Sequence, residues 1–455
     1  MLSSLANGGT KDHKENKKKM DLNGGQDHND KNMIESFTVG EPCDNVNAAD
    51  PSSSRLSKII AKFQEHLAES INHSLGFPGN LDCSRYIALS PLLGFHLNNV
   101  GDPFIKSNFA LNSKMFEVEV LEWFARLWAI GKNEYWGYVT NGGTEGNLKG
   151  LLLGRELLSD GILYTSKASH YSILKIARMY RMKCEIVDTL TTGEINCNDL
   201  REKLLLNKHK PAIVNATIGT TFKGGIDNIN LIISTLYECG FSDDRFYIHC
   251  DAALFGLILP LIEQESNLSF KRRIGSISVS GHKLLGSPMP CGVFMTRNKN
   301  RNLLAQNIEY IASLDTTISG SRNGHATILM WYGLNIKGIM GLKEDVEMCL
   351  ENARYLRDEL RNCGITAMVN ENSNIVVLER PLDDGFANYW QLSCTQKMAH
   401  VVVMPHITTN MLDQFVEDLV EKRRTWYGRF DDLRPPCLAA EIGISNCSCQ
   451  VKHES

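Results

Sequence analysis

The sequence predicts an α/β fold: a mostly parallel central sheet with helices on both faces, followed by a small C-terminal α+β domain. Two observations predict it. Seven short β-rich runs, at 135–140, 162–165, 184–187, 212–216, 246–250, 276–279 and 292–296, alternate with helical stretches. Beyond a loop at about 305–325, a long helical region over 326–363 leads to apolar runs at 375–378 and 400–404 and to a helix from Thr409.

The elements follow in order. Residues 1–54 are rich in Lys, Asp, Asn, Gly and Ser and hold few large apolar side chains. Such a segment cannot offset its ordering entropy by burial, so a disordered tail is expected. Its basic cluster, Lys14 to Lys19, reads as a solvated run or a weak targeting signal. Leu56, Ile59, Ile60, Phe63, Leu67 and Ile71 then recur at helical spacing, and Gly76-Phe77-Pro78-Gly79-Asn80 breaks that helix. A second helix from about Ser113 aligns Phe116, Val120, Phe124, Leu127 and Trp128 on one face, as core. Helical stretches at 146–158 and 171–182 lie among the β-rich runs.

Composition narrows the function. A chain of 455 residues, 43% hydrophobic and 22% charged, has room for two or three globular domains. A net charge of -4 gives no general attraction to nucleic acid. No apolar run approaches the roughly 20 residues that span a bilayer, and the first residues lack the apolar stretch of a secretory signal. Thirteen cysteines, mostly scattered singly, read as reduced intracellular thiols. A cytoplasmic enzyme is expected.

Five strand ends carry candidate chemistry. Asn141-Gly142-Gly143-Thr144-Glu145-Gly146-Asn147 follows a strand and opens a helix. Glycines admit an anion close to the backbone and a helix N-terminus favours phosphate, although a plain strand-to-helix turn has the same pattern. His170 sits where the next strand hands over to a helix, as a ligand or as a capping histidine, and Gly219-Thr220-Thr221 ends another. Asp251 closes an apolar strand before Ala252-Ala253. A carboxylate there can keep a pyridine nitrogen protonated while small Ala253 admits a flat ring, or it can simply cap a helix. Lys283 ends Ser278-Val279-Ser280-Gly281-His282-Lys283. A lysine at a strand end can form a Schiff base with an aldehyde cofactor once its amine is desolvated; alone, it is more often a solvated charge.

These stretches, in this order and together with Ser169-His170-Tyr171-Ser172 and Gly320-Ser321-Arg322-Asn323-Gly324-His325, resemble the group II amino-acid decarboxylases. Those enzymes have fold type I and depend on pyridoxal 5'-phosphate (PLP). The likeness is greatest to the plant serine decarboxylase branch, often labelled histidine decarboxylase, and runs from about residue 60 to the C-terminus. It implies that Lys283 carries PLP, that Asp251 pairs with the ring nitrogen and that His170 stacks on the ring. Gly143, Thr144, Ser280 and His282 would hold the phosphate, with Thr221 and Ala253 completing the cofactor site. Residues 305–327 resemble the loop that such enzymes lend across a homodimer interface, with Tyr310 as proton donor to the substrate carbon. Related aldehyde synthases have phenylalanine there, so Tyr310 argues for a true decarboxylase.

The expected division is a polar tail (1–54), a helical arm with the pocket loop (55–110), a PLP-binding domain (111–330), a small domain (331–436) and a Cys/His tail (437–455). In that tail Cys437, Cys447, Cys449 and His453 read as a structural zinc site or as reduced thiols on a loose end.

One departure bears on the substrate. The family pattern has a tyrosine after the loop's Gly-Tyr-Pro, whereas this chain has Gly76-Phe77-Pro78-Gly79. Gly79 removes an aromatic wall and a hydroxyl from the pocket to which Tyr171 also belongs. The expected substrate shifts from serine to a larger side chain, valine, leucine or histidine, unless a neighbour fills the gap. The product is CO2 and a primary amine. Competing readings are an L-serine decarboxylase making ethanolamine, a PLP aldehyde synthase, and a non-catalytic paralogue.

Overall fold

The computed structural model describes residues 52–263, 267–428 and 434–448. The expected polar tail lies almost wholly outside them, as do Cys449 and His453. The chain divides into two units with the boundary between Ser70 and Ile71. In the first, helix α1 (Ser52–Ile71) sets Leu56, Ile60, Phe63 and Leu67 along one stripe, as their spacing requires.

The second unit is built on a seven-stranded sheet. Its strands are β1 (Tyr135–Thr140), β2 (Ile162–Ser166), β3 (Cys184–Val187), β4 (Ala212–Thr217), β5 (Phe246–Asp251), β6 (Ser276–Ser280) and β7 (Gly292–Arg297). Their spatial order is β1-β7-β6-β5-β4-β2-β3. Strands β3, β2, β4, β5 and β6 pair in parallel, and β7 is antiparallel to both β6 and β1. The connecting helices are α2 (Lys114–Leu127), α3 (Gly143–Leu157), α4 (Tyr171–Met179), α5 (Cys197–Leu206), α6 (Ile229–Glu238) and α7 (Phe255–Ile262).

Alternation along the strands explains why helices cover both faces. On β4, Ile213 points to the core that holds Leu151 and Leu153 of α3 and Ile173 and Ile176 of α4. Its neighbours Ala212 and Val214 point to the opposite core, with Phe124 of α2, Leu200 of α5, Ile232 of α6 and Phe255 of α7. A strand buried on both faces reads as a continuous apolar run, and β4 is buried along its whole length. Burial of each large apolar side chain contributes about 1.5–3 kcal/mol.

After β7 the chain forms a short hairpin, β8 (Gln306–Ile308) and β9 (Ser313–Asp315), where only a loop is expected from sequence. A helical stretch, α8 (Gly324–Asn362), follows and breaks helical geometry at Gly338, where φ is +60°. The base of the hairpin segment is anchored from below. Buried Arg322 pairs with buried Glu117 of α2 and donates to Gly101 O at 2.8 Å, and Lys149 of α3 donates to Thr316 O.

A second, antiparallel sheet completes the unit: β10 (Ala367–Val369), β11 (Ile375–Glu379), β12 (Ser393–Thr395) and β13 (Met398–Val402), in the order β10-β11-β13-β12. Strand β13 begins two residues before the expected run, because Met398 pairs with Thr395 across a tight turn. Helix α3 likewise begins at Gly143, three residues before the expected start, so the glycine turn belongs to its first turn.

Candidate active site

The carboxyl ends of β1, β2, β4, β5 and β6 open on one cavity of about 320 Å³. This is where an open α/β sheet presents its loops to a ligand. Gly143, Thr144, His170, Tyr171, Thr221, Asp251, Ala253, Ser280, His282 and Lys283 all line it, so residues spread over 140 positions of sequence converge.

Local structure positions each one. Gly142 has φ +129°, a conformation that L side chains rarely adopt, and this lets the chain turn from β1 directly into α3. Gly143 N–H, in the first turn of α3, donates to Ser280 Oγ at 3.2 Å. His170 caps α4: its Nδ1 accepts from Ser172 N–H at 3.3 Å and meets Ser172 Oγ at 2.7 Å. Its ring centroid lies 4.2 Å from that of Tyr171. Asp251 ends β5, and its Oδ2 accepts from Asn147 Nδ2 at 2.8 Å. On the neighbouring strand β6, Ser280 is the last residue, and His282 and Lys283 follow it into the cavity.

Electrostatics follow from this enclosure. Burial lowers the pKa of Lys283, against the opposing pull of Asp251. Burial also lowers His170; Asp251 raises it and Lys283 lowers it further. His282 is lowered mainly by burial, while Cys291 O opposes.

The pocket loop reaches the site beside its expected residue. Pro78 lines the cavity, whereas half-buried Gly79 is not among the lining residues. A Cβ at Gly79 would meet only Leu81 Cδ2, at 3.5 Å. Asn80 N–H donates to Lys283 O at 3.1 Å. His400 of β13 stands between Gly76 O, 3.1 Å from Nε2, and Phe222 O, 3.0 Å from Nδ1, tying the pocket loop to the loop after β4. Tyr310 lies in the β8–β9 hairpin, 83% exposed, and does not line this cavity.

Sequence reasoning assigns no role to Asn147 or Ile375, which also line the cavity. Ile375 comes from the second sheet, and no local pattern announces that approach. In the C-terminal tail, the Sγ atoms of Cys437 and Cys447 are 3.9 Å apart. Among the described residues, no group of three or more His, Cys, Asp or Glu is placed to hold a metal ion.

The cavity fits PLP. A Cβ at Gly143 would stand 2.9 Å from Ser280 Oγ, so only bare backbone leaves room for an anion at the start of α3. One acidic and one amine side chain, Asp251 and Lys283, match the two ends of a pyridine aldehyde.

Comparison with known proteins agrees. The pyridoxal-dependent decarboxylase conserved domain matches residues 56–378. Serine decarboxylase 1 of Oryza sativa subsp. japonica is 54% identical over 416 residues, 91% of this chain and 86% of that protein. Histidine decarboxylase of Solanum lycopersicum is 53% identical over 399 residues, 87% of this chain and 96% of that protein. L-methionine decarboxylase from Streptomyces sp.590 shares the fold with a TM-score of 0.77 at 22% identity, covering 85% of this chain and 98% of that one. Oryza sativa TDC with PLP and tryptamine aligns with a TM-score of 0.68 at 15% identity, over 87% of this chain and 97% of that one. The chain belongs to the pyridoxal-dependent decarboxylase family and is a PLP-dependent amino-acid decarboxylase.

Proposed function

We propose that this enzyme decarboxylates an L-amino acid with a side chain larger than serine's, namely valine, leucine or histidine. One observation carries the assignment of its working centre: Asp251 and Lys283 issue from adjacent parallel strands into one cavity that also holds His170. When bound, PLP supplies a conjugated ring that accepts the electron pair released as the substrate carboxylate leaves.

The chain's own residues have separate tasks in this reading. Lys283 holds the cofactor covalently, and its lowered pKa increases the share of neutral, nucleophilic amine. Asp251 would pair with the ring nitrogen of bound PLP, and His170 would lie against the ring. Gly143, Thr144, Ser280 and His282 take the phosphate. Thr221 and Ala253 complete the walls. Pro78, Tyr171 and Ile375 border the substrate side chain.

The wider pocket is inferred from Gly79, the neighbour of the lining residue Pro78, where an added Cβ would meet only Leu81 Cδ2 at 3.5 Å. A second reading, serine as substrate and ethanolamine as product, is favoured by the 54% identical relative named serine decarboxylase. It requires a neighbouring side chain to fill that space.

We also infer a homodimer. Tyr310, the residue inferred to protonate the substrate Cα, is exposed and does not line its own chain's cavity, so it would serve the partner's. Exposed Ile87, Leu93, Phe95 and Met115 offer apolar surface for a second copy. The two sheets support a division into a large domain over about 111–330 and a small one over about 331–436. The scattered cysteines support a cytoplasmic location. Among the described residues, no helix is long and apolar enough to cross a membrane.

Purified protein supplied with PLP should release one CO2 per amine formed. Lys283→Ala should abolish both the turnover and the visible absorbance of lysine-bound PLP. Survival of that absorbance in the variant would refute the lysine assignment.

A further inference from the structure

Helix α3 carries a glycine at every fourth position, Gly146, Gly150 and Gly154, and packs on β5, β6 and β7. A Cβ at Gly146 would stand 2.5 Å from Ser278 Cβ, at Gly150 2.2 Å from His249 Nδ1, and at Gly154 2.9 Å from Tyr247 Cδ1. All three contacted residues belong to one buried hydrogen-bonded chain. The glycines let the helix press the buried Asn147 into that chain.

The links are continuous. Tyr247 O–H donates to Ser276 Oγ at 2.8 Å, and Ser276 Oγ meets His249 Nδ1 at 2.7 Å. His249 Nε2 meets Asn147 Oδ1 at 2.9 Å, and Ser278 O–H donates to the same oxygen at 2.7 Å. Asn147 Nδ2 donates to Asp251 Oδ2 at 2.8 Å and to Ser172 Oγ at 3.3 Å. Ser172 in turn meets His170 Nδ1 at 2.7 Å. None of Tyr247, Ser276, His249, Ser278, Asn147 and Ser172 is more than 3% exposed.

Donor and acceptor roles leave one arrangement. A carboxylate only accepts, so Asn147 turns Nδ2 toward Asp251. Oδ1 then faces His249 and Ser278, and both must donate. His249 therefore carries its proton on Nε2 and accepts at Nδ1 from Ser276. Burial pushes its pKa down to about 3, consistent with a neutral ring. On the other branch, the backbone N–H and the hydroxyl of Ser172 both point at His170 Nδ1. His170 is left with its proton on Nε2. The Asn147 amide uses both donors and both acceptor positions.

We propose that Asn147 is a positioning residue whose carboxamide, oriented by His249 and Ser278, fixes Asp251 as an acceptor and selects the Nε2–H tautomer of His170. One buried amide thereby sets the group at the ring nitrogen and the group on the ring face together. The proposal rests on the roles given above to Asp251 and His170.

The test uses the PLP-loaded enzyme and two readouts other than turnover: the dissociation constant for PLP and the pH midpoint of the bound cofactor's visible spectrum. Asn147→Asp keeps the shape but turns an acceptor toward Asp251. It should weaken PLP binding about tenfold or more and move the midpoint by about one pH unit or more. Ser278→Ala, which removes one of the two donors to Oδ1, should move both in the same direction by less. Variants that lower Tm while leaving affinity and midpoint within about twofold and a few tenths of a unit of wild type would overturn the proposal. A measurement on the wild-type holoenzyme decides the matter even where Asn147→Asp does not fold. Nitrogen-15 shifts of His249 and His170 should both show the neutral Nε2–H form at pH 7; an Nδ1–H form at either would overturn it. Asp251→Asn separates the two layers. If that variant leaves the spectrum unchanged, the role of Asp251 fails. If it abolishes the spectrum while Asn147→Asp changes nothing, only the role of Asn147 fails.

Discussion

Asn80 donates its backbone N–H to the carbonyl oxygen of Lys283 at 3.1 Å, and its side chain reaches Leu284 O at 3.2 Å. The loop proposed to border the substrate is thereby fastened to the segment that carries the candidate nucleophile. A change in loop shape at Gly79 is felt one residue from that fastening.

Gly79→Tyr should reverse the substrate preference. The glycine has no left-handed backbone requirement, and a Cβ there would meet only Leu81 Cδ2 at ordinary contact distance. The ratio of kcat/KM for leucine to that for serine should fall about 10- to 100-fold. An unchanged ratio would show that residue 79 does not border the substrate.

Tyr310→Phe should lower amine formation at least about tenfold, by removing the proton donor. Aldehyde, ammonia and hydrogen peroxide should appear in its place under air. A variant with wild-type amine yield and no aldehyde would mean that another group protonates Cα. Mixing Tyr310→Phe with Lys283→Ala protein should restore some amine formation, because a mixed dimer retains one site with both native residues.

His249 makes stability depend on acid. Its folded pKa is depressed to about 3 by burial, below the ordinary 6.5 of the unfolded chain. The unfolded state therefore binds the extra proton first. The contribution is fully present above pH 6.5 and is lost progressively as pH falls toward 3. At pH 5.5 the loss from this one residue is about 1.4 kcal/mol. The urea midpoints at pH 7.5 and 5.5 should differ less for His249→Gln than for wild type; equal acid sensitivity would contradict this account.

Arg322→Ala should be among the costlier single changes outside the cavity. It leaves Glu117 buried, although Val139 N–H at 2.8 Å and Asn99 Nδ2 at 2.9 Å still bond its carboxylate. Breaking a buried pair from one side costs about 3–5 kcal/mol. A urea titration measures this, and a loss below about 1 kcal/mol would show that the pair is hydrated.

Much of this architecture was legible in the sequence because its signals are local. The strands at Tyr135–Thr140 and Cys184–Val187 stand where their apolar runs begin and end, since each is bounded by turn residues. The cavity was legible because five strand ends carry small polar residues, and parallel topology brings such ends together. What escaped notice is non-local. The alternation Ser276, Ser278, Ser280 puts three hydroxyls on one face of β6, yet its meaning appears only when α3 lies across it. Ile375 enters the cavity from a separate sheet. The hairpin around Tyr310 has only three-residue strands, too short to give a periodic signal.

The most direct test of the central claim is amine production by the PLP-loaded protein from L-serine, alanine, valine, leucine, histidine and phenylalanine, each at several concentrations. The account predicts the highest kcat/KM for valine, leucine or histidine, with one CO2 per amine. Preference for serine would contradict the opened pocket, and aldehyde without amine would contradict the decarboxylase chemistry assigned to Tyr310.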